Sequence, residues 1–162
     1  HSKGTIMAQK NYDIEIDQGE KFGLYFQFTD NDDNLIDLNN YKKAEMQVRK
    51  FAGSDDMLVY LLGTGPTGAG ASIIGGGTIG FFQSTSTGGI SAGRTGGIYF
   101  NASSTGSTHG NSTGGVFVAM DALTTSEMPF GRHFYDLEFI NPSNETIKVL
   151  KGRFVVNREV TK

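Results

Sequence analysis

A few groups of residues in this sequence have types and spacings that could do chemistry. Gly63, Gly65 and Gly68 form a literal G-x-G-x-x-G after the apolar run Leu58 to Leu62. That is the pattern with which a strand–turn–helix cradles a dinucleotide pyrophosphate. The chemistry needs a helix opening at the third glycine and an acidic residue about 20 positions further on. Here Pro66 sits inside the motif, no helical periodicity follows, and Asp and Glu are absent between Gly63 and Met120. The match follows from glycine content and predicts no phosphate site.

Asp30, Asp32 and Asn34 place oxygen side chains at alternate positions, as the start of a calcium loop does. The glycine required at the sixth position is Leu35, and the bidentate glutamate at the twelfth is Tyr41. The stretch therefore reads as a hairpin turn, in which Asp and Asn bond their own main chain. Asp13, Glu15 and Asp17 alternate with Tyr12, Ile14 and Ile16 and read as the solvated face of a strand rather than a carboxylate dyad. His109 and His133 belong to no His-x-x-His pair or G-x-S-x-G elbow, and His133, beside Arg132, is expected at the surface. Asn101-Ala-Ser, Asn111-Ser-Thr and Asn144-Glu-Thr are glycosylation sequons in form only, of the kind Ser/Thr-rich sequence produces by chance. The chain has no cysteine, so thiolate chemistry and disulfides are excluded. The expectation is a protein that is not an enzyme and takes no metal and no cofactor.

The elements that must position these residues follow from composition and period. At 162 residues the length suits one domain with its own core. With 14 basic and 17 acidic residues and no basic block, nothing predicts a nucleic-acid surface. Apolar runs are too short for a membrane span or signal sequence. Met7 reads as a natural start, with residues 1–6 an appended remnant and 7–162 a single β-sandwich domain. Of 23 glycines, 17 fall between Gly63 and Gly115, where Lys, Asp and Glu are absent and Arg94 and His109 are the only basic side chains. Residues 63–115 are therefore expected to form a long Gly/Ser/Thr-rich insert between two conventional thirds.

The flanking thirds alternate with period two, the mark of half-buried strands. Phe22, Leu24, Phe26 and Phe28 share one face, as do Ala44, Met46 and Val48, and Tyr135, Leu137 and Phe139. Further strands are predicted over Met57 to Leu62 and Val116 to Met120. Ile147 to Leu150 and Phe154 to Val156 are two more, or one strand bent at Gly152. A single helical turn is expected over Leu123 to Met128, from the capping-box spacing of Thr124 and Glu127 and the stop at Pro129. Roughly eight strands and almost no helix predict an all-β fold, an antiparallel β-sandwich. Within the insert, Gly77 to Gly89 and Gly96 to Gly106 are expected as short strands of an extended hairpin or loop, while Gly114 to Ser126 carries a core strand.

Three segments carry a resemblance: Val116 to Met128, then Gly131-Arg-His-Phe-Tyr-Asp-Leu-Glu138, then Val149-Leu-Lys-Gly-Arg-Phe-Val-Val-Asn-Arg-Glu-Val-Thr161. With Gly19 to Thr29, Leu35 to Leu38 and Ala44 to Arg49, they resemble the N-terminal adaptor domain of upper baseplate proteins of siphophages. The resemblance implies an Ig-like antiparallel β-sandwich in a phage virion, a structural protein of the tail, baseplate or neck that holds neighbouring subunits and does no chemistry. Its partners would be other virion structural proteins, with the chain a homo-oligomer in the particle. The glycine-rich insert departs from the pattern, and a head-decoration role is the alternative. Charge depletion in the insert suits the centre of a protein interface, and the candidate contact residues are Phe81, Phe82, Arg94, Ile98, Tyr99 and Phe100. Aromatics among Ser and Asn also suit sugar faces, so a host surface glycan is a second expected partner class.

Overall fold

The fold is given by a computed structural model that describes residues 10–50, 57–64, 70–75, 96–103 and 113–158. In chain order its elements are β1 (Lys10–Asn11), β2 (Ile14–Asp17), β3 (Phe22–Gln27), β4 (Lys43–Arg49), β5 (Met57–Thr64), β6 (Gly70–Gly75), β7 (Gly96–Phe100) and β8 (Gly115–Met120), followed by helix α1 (Ala122–Glu127), β9 (Gly131–Ile140) and β10 (Thr146–Asn157). They form a seven-stranded sheet ordered β1-β10-β9-β4-β5-β6, with β2 also on β10, and a three-stranded sheet ordered β3-β8-β7. With β3 to β10 taken as strands B, C, C′, C″, D, E, F and G, this is the order of a variable-type Ig sandwich.

Alternation decides which residues face the core. Ala44, Met46 and Val48 of β4 have no exposed surface, and neither have Leu137 and Phe139 of β9. The chain has neither the cysteine pair nor the tryptophan that fill the centre of antibody domains. Aromatic rings bridge the sheets instead. Phe139 meets Phe28 at 5.0 Å and Phe100 at 5.5 Å, edge to face, and Tyr41 joins them at 6.0 Å from Phe139. Towards the other end, Phe154 meets Phe22 at 5.8 Å and Tyr135 at 6.2 Å. Such pairs add about 0.5–1.5 kcal/mol each beyond their area.

Two turns at one end are built alike. Asp30 accepts the N–H groups of Asp32 and Asn34 at 2.9 and 3.0 Å, with Asp33 at φ 64°. Asn141 accepts those of Ser143 and Glu145, both at 2.9 Å, with Asn144 at φ 65°. Side-chain oxygen thus replaces a strand partner at each reversal. The Asp30 carboxylate serves the hairpin.

Several sequence expectations need correction. The large sheet is mixed, because β1 and β2 both run parallel to β10 in one register, Lys10 opposite Leu150 and Ile14 opposite Phe154. β10 is one strand, and its irregularity falls between Lys148 and Leu150 rather than at Gly152. Helix α1 starts one residue before the expected Leu123, and its cap is Asp121 rather than Thr124: Asp121 accepts the Thr124 N–H at 3.0 Å. His133 is buried, its Nε2 donating to the Pro129 carbonyl at 2.7 Å. The glycine-rich stretch is also more than an insert. β5 continues through Gly63 and pairs with β6, and β7 joins the small sheet beside β8. A β-carbon on Gly63 would lie 2.2 Å from the Ile98 carbonyl oxygen, so this glycine permits the close approach of β5 to β7. The unit Gly77 to Gly89 lies outside the described residues.

Candidate functional site

The six residues singled out in the sequence do not form one surface. Phe81, Phe82 and Arg94 lie outside the described residues. Ile98 and Phe100 point between the sheets and are 0% and 3% exposed, so they serve the core and are closed to a partner. Period two turns Tyr99 the other way, onto the outer face of the small sheet, where it stands in register with Phe117, itself opposite Tyr25. Burial raises the Tyr99 hydroxyl above its ordinary pKa.

Asn101 is the first residue with a role that sequence reading missed. It sits at φ 51°, and its side-chain oxygen accepts the buried N–H groups of Leu38 and Gly114 at 3.1 and 3.0 Å. Its amide nitrogen donates to Asp37 at 2.9 Å, and this bond, after the Asn39 N–H, holds the Asp37 carboxyl below the usual range. At 6% exposure it ties the β3–β4 connection to the start of β8 and is closed to glycosylation in the folded chain.

Carboxylates collect on the outer face of the large sheet. Glu45 of β4 stands opposite Glu138 of β9, and Asp136 lies one step along the same face. Lys43 reaches Glu45 at 2.6 Å and Lys148 reaches Glu138 at 2.7 Å. The Tyr60 hydroxyl is raised by burial and by its bond to Glu45. Asp136 is raised by burial and then by Glu138, against the pull of Arg49 and Lys148. What this set does is pair charge along β4 and between β10 and β9, and no group of His, Asp or Glu among the described residues could hold a metal ion.

The flank of the sandwich offers a different arrangement. The N-terminal strand is locked onto β10: the Tyr12 N–H donates to Lys151 O at 2.8 Å, and the Arg153 N–H donates to the Asp13 carboxylate at 3.0 Å. The Tyr12 carbonyl accepts the Tyr135 hydroxyl at 2.6 Å, and a β-carbon on Gly152 would lie 2.3 Å from that carbonyl. The first described strands therefore extend the large sheet and not the small one. Among the described residues no strand pairs with the outer edge of β3.

A groove opens along that edge. Its upper part, a cleft of about 240 Å³, lies between Tyr12, Val149 and Leu150 on one side and Leu24, Phe26 and Phe28 on the other. Its lower part, about 250 Å³, runs beside Asp13, Glu15 and Glu20, and Tyr12 and Leu24 line both parts. Leu24 and Phe26 face the core yet are only partly buried, and Tyr12 is 48% exposed. This is the candidate site: an apolar cleft continuing into an acidic one along a strand edge that no described strand pairs.

No known family model matches this chain, and no curated protein is significantly similar to it. The sequence signal for the groove was partial. The period-two face Phe22–Phe28 was legible, but its incomplete cover depends on where the distant first strand pairs.

Proposed function

We propose that this chain is a non-enzymatic virion structural protein whose Ig-like sandwich holds neighbouring subunits of a phage tail, baseplate or neck. The observation that carries the reading is the flank groove with its unpaired β3 edge, a surface suited to a polypeptide rather than to a small molecule. An open edge presents a row of N–H and C=O groups that another chain can complete. The motif resemblance around Gly131–Glu138 and Val149–Val156 points to the same class of assembly protein.

Mass spectrometry of purified virions, with copy number, tests the proposal. Tens of copies per particle support a tail or neck position, and hundreds place the chain on the head as a decoration protein. Absence from the particle overturns the virion reading.

A second reading is supported by the Tyr25, Phe117 and Tyr99 register on the outer face of the small sheet, a row that suits a sugar face. Binding to a glycan array, lost on Phe117→Ser, supports a host-recognition module, and an array without binding argues against it.

A further inference from the structure

Among the described residues no strand pairs with the outer edge of β3, and the chemistry of that edge states what would close it. The Phe28 N–H donates to Gly114 O at 2.7 Å, in the same register as the β3–β8 pairs. Antiparallel strands alternate, so Phe22, Leu24 and Phe26 direct their backbone groups to β8, while the Phe28 carbonyl beyond the strand accepts the Ile36 N–H at 2.9 Å. The N–H and C=O groups of Gly23, Tyr25 and Gln27 then point to the vacant side. A strand added there would send every second side chain inward, over the half-covered Leu24 and Phe26.

Charge distinguishes the two halves of the added strand. Asp13, Glu15 and Glu20 line the lower groove, with Lys21 the cation among its lining residues. Asp13 and Glu15 accept from neutral donors, the Arg153 N–H and the Asn157 amide, and Glu20 accepts the Asp17 N–H. None of the three is in an ion pair among the described residues. The β3 strand of a second copy, FGLYFQ, brings no lysine or arginine to set against these carboxylates.

We propose that β3 accepts an extended strand from a different polypeptide, apolar at the end over Tyr12 and Leu150 and lysine- or arginine-bearing at the end over Asp13, Glu15 and Glu20. This rests on the assembly reading above and names the partner chemistry. The added strand completes the small sheet as a fourth member and covers the exposed part of the core.

The test uses the full chain, labelled for amide hydrogen exchange, with the acetylated peptide VTVTKTKT, its reversed sequence, and the same pair with glutamate for lysine. The expected result is that one lysine peptide slows exchange at Gly23, Tyr25 and Gln27 by about tenfold or more at roughly 1 mM. The glutamate peptides leave it unchanged, and Glu15→Lys with Glu20→Lys reverses the preference. Gln27→Pro removes an outward N–H while sparing the β8 ladder, so it abolishes protection without lowering the melting temperature. No protection by either lysine peptide overturns the proposal, as does equal protection by lysine and glutamate peptides. Protection that rises with protein concentration alone assigns the edge to a second copy and overturns it as well. Each outcome is independent of virion copy number, so the groove can fail while the assembly reading stands.

Discussion

At the scale of single residues, the side chains that matter most are polar groups holding backbone rather than chemistry. Asn101 satisfies two buried N–H groups from a left-handed conformation. Asn101→Ala leaves both without a partner and adds backbone strain, so it is expected to cost roughly 2–4 kcal/mol by denaturant unfolding. Asn101→Gly restores the backbone but not the bonds, and recovers only a fraction of that loss. Equal stability of the alanine variant and the parent would show that water replaces the amide. Asp136 makes the opposite case. Its folded pKa is raised above the ordinary 3.8, first by burial and then by Glu138. The folded state therefore holds its proton more tightly than the unfolded chain does. The stabilisation is complete below pH 3.8 and is lost as pH rises through the folded value. Asp136→Asn removes this penalty, so the variant matches the parent in acid and exceeds it at neutral pH by a few tenths to about 1 kcal/mol. Melting curves from pH 3 to pH 7 check the sign. None of these roles was legible in the sequence: Asn101 stood as a sequon, and Glu45 meets Glu138 only because β4 pairs with β9.

At the scale of elements, alternation made the strands legible and left their partners hidden. β3, β4, β8 and β9 fall where period two placed them, because each buries one face. A short strand is expected where β7 lies, but as part of an extended hairpin or loop, because its glycines hide its place in the core, where Ile98 and Phe100 are buried. The parallel pairing of β1 and β2 with β10 joins opposite ends of the chain, which no local pattern encodes. Gly152 is the residue that admits this pairing, with no room for a β-carbon beside Tyr12. Gly152→Val is expected to push the first strand off β10 and cost about 1–3 kcal/mol. Amide exchange should then quicken along β1 and β2 and stay slow between β4 and β9. Uniform acceleration across both sheets would mean that the N-terminal strand does not separate from the rest.

At the scale of the whole molecule, an open edge is a hazard as well as a binding surface. Unpaired strands template pairing with further copies unless charge, proline or distortion blunts them. β3 offers a side-chain-free Gly23, with Lys21 just before it, and the carboxylates beside it come from Asp13 and Glu15 at β2 and Glu20 in the β2–β3 connection. The same three groups thus favour a basic strand over β3 of a second copy, which carries no cation, and this ties solubility and partner choice to one groove. The chain carries a formal charge of −3, and removing three acidic groups brings it to zero, since −3 + 3 = 0. Asp13→Asn, Glu15→Gln and Glu20→Gln together keep the acceptor oxygens that bond Arg153, Asn157 and Asp17, so the fold is expected to survive. What changes is association: near-zero net charge and an unguarded edge both favour self-pairing. Light scattering after size exclusion should show the triple variant shifting to larger species with rising concentration, while the parent holds its state over the same range. Gln27→Pro in the triple background should return the parent's behaviour, because it removes a donor from the edge itself. If the triple variant elutes as the parent does, the carboxylates are not what keeps β3 free of its own copies.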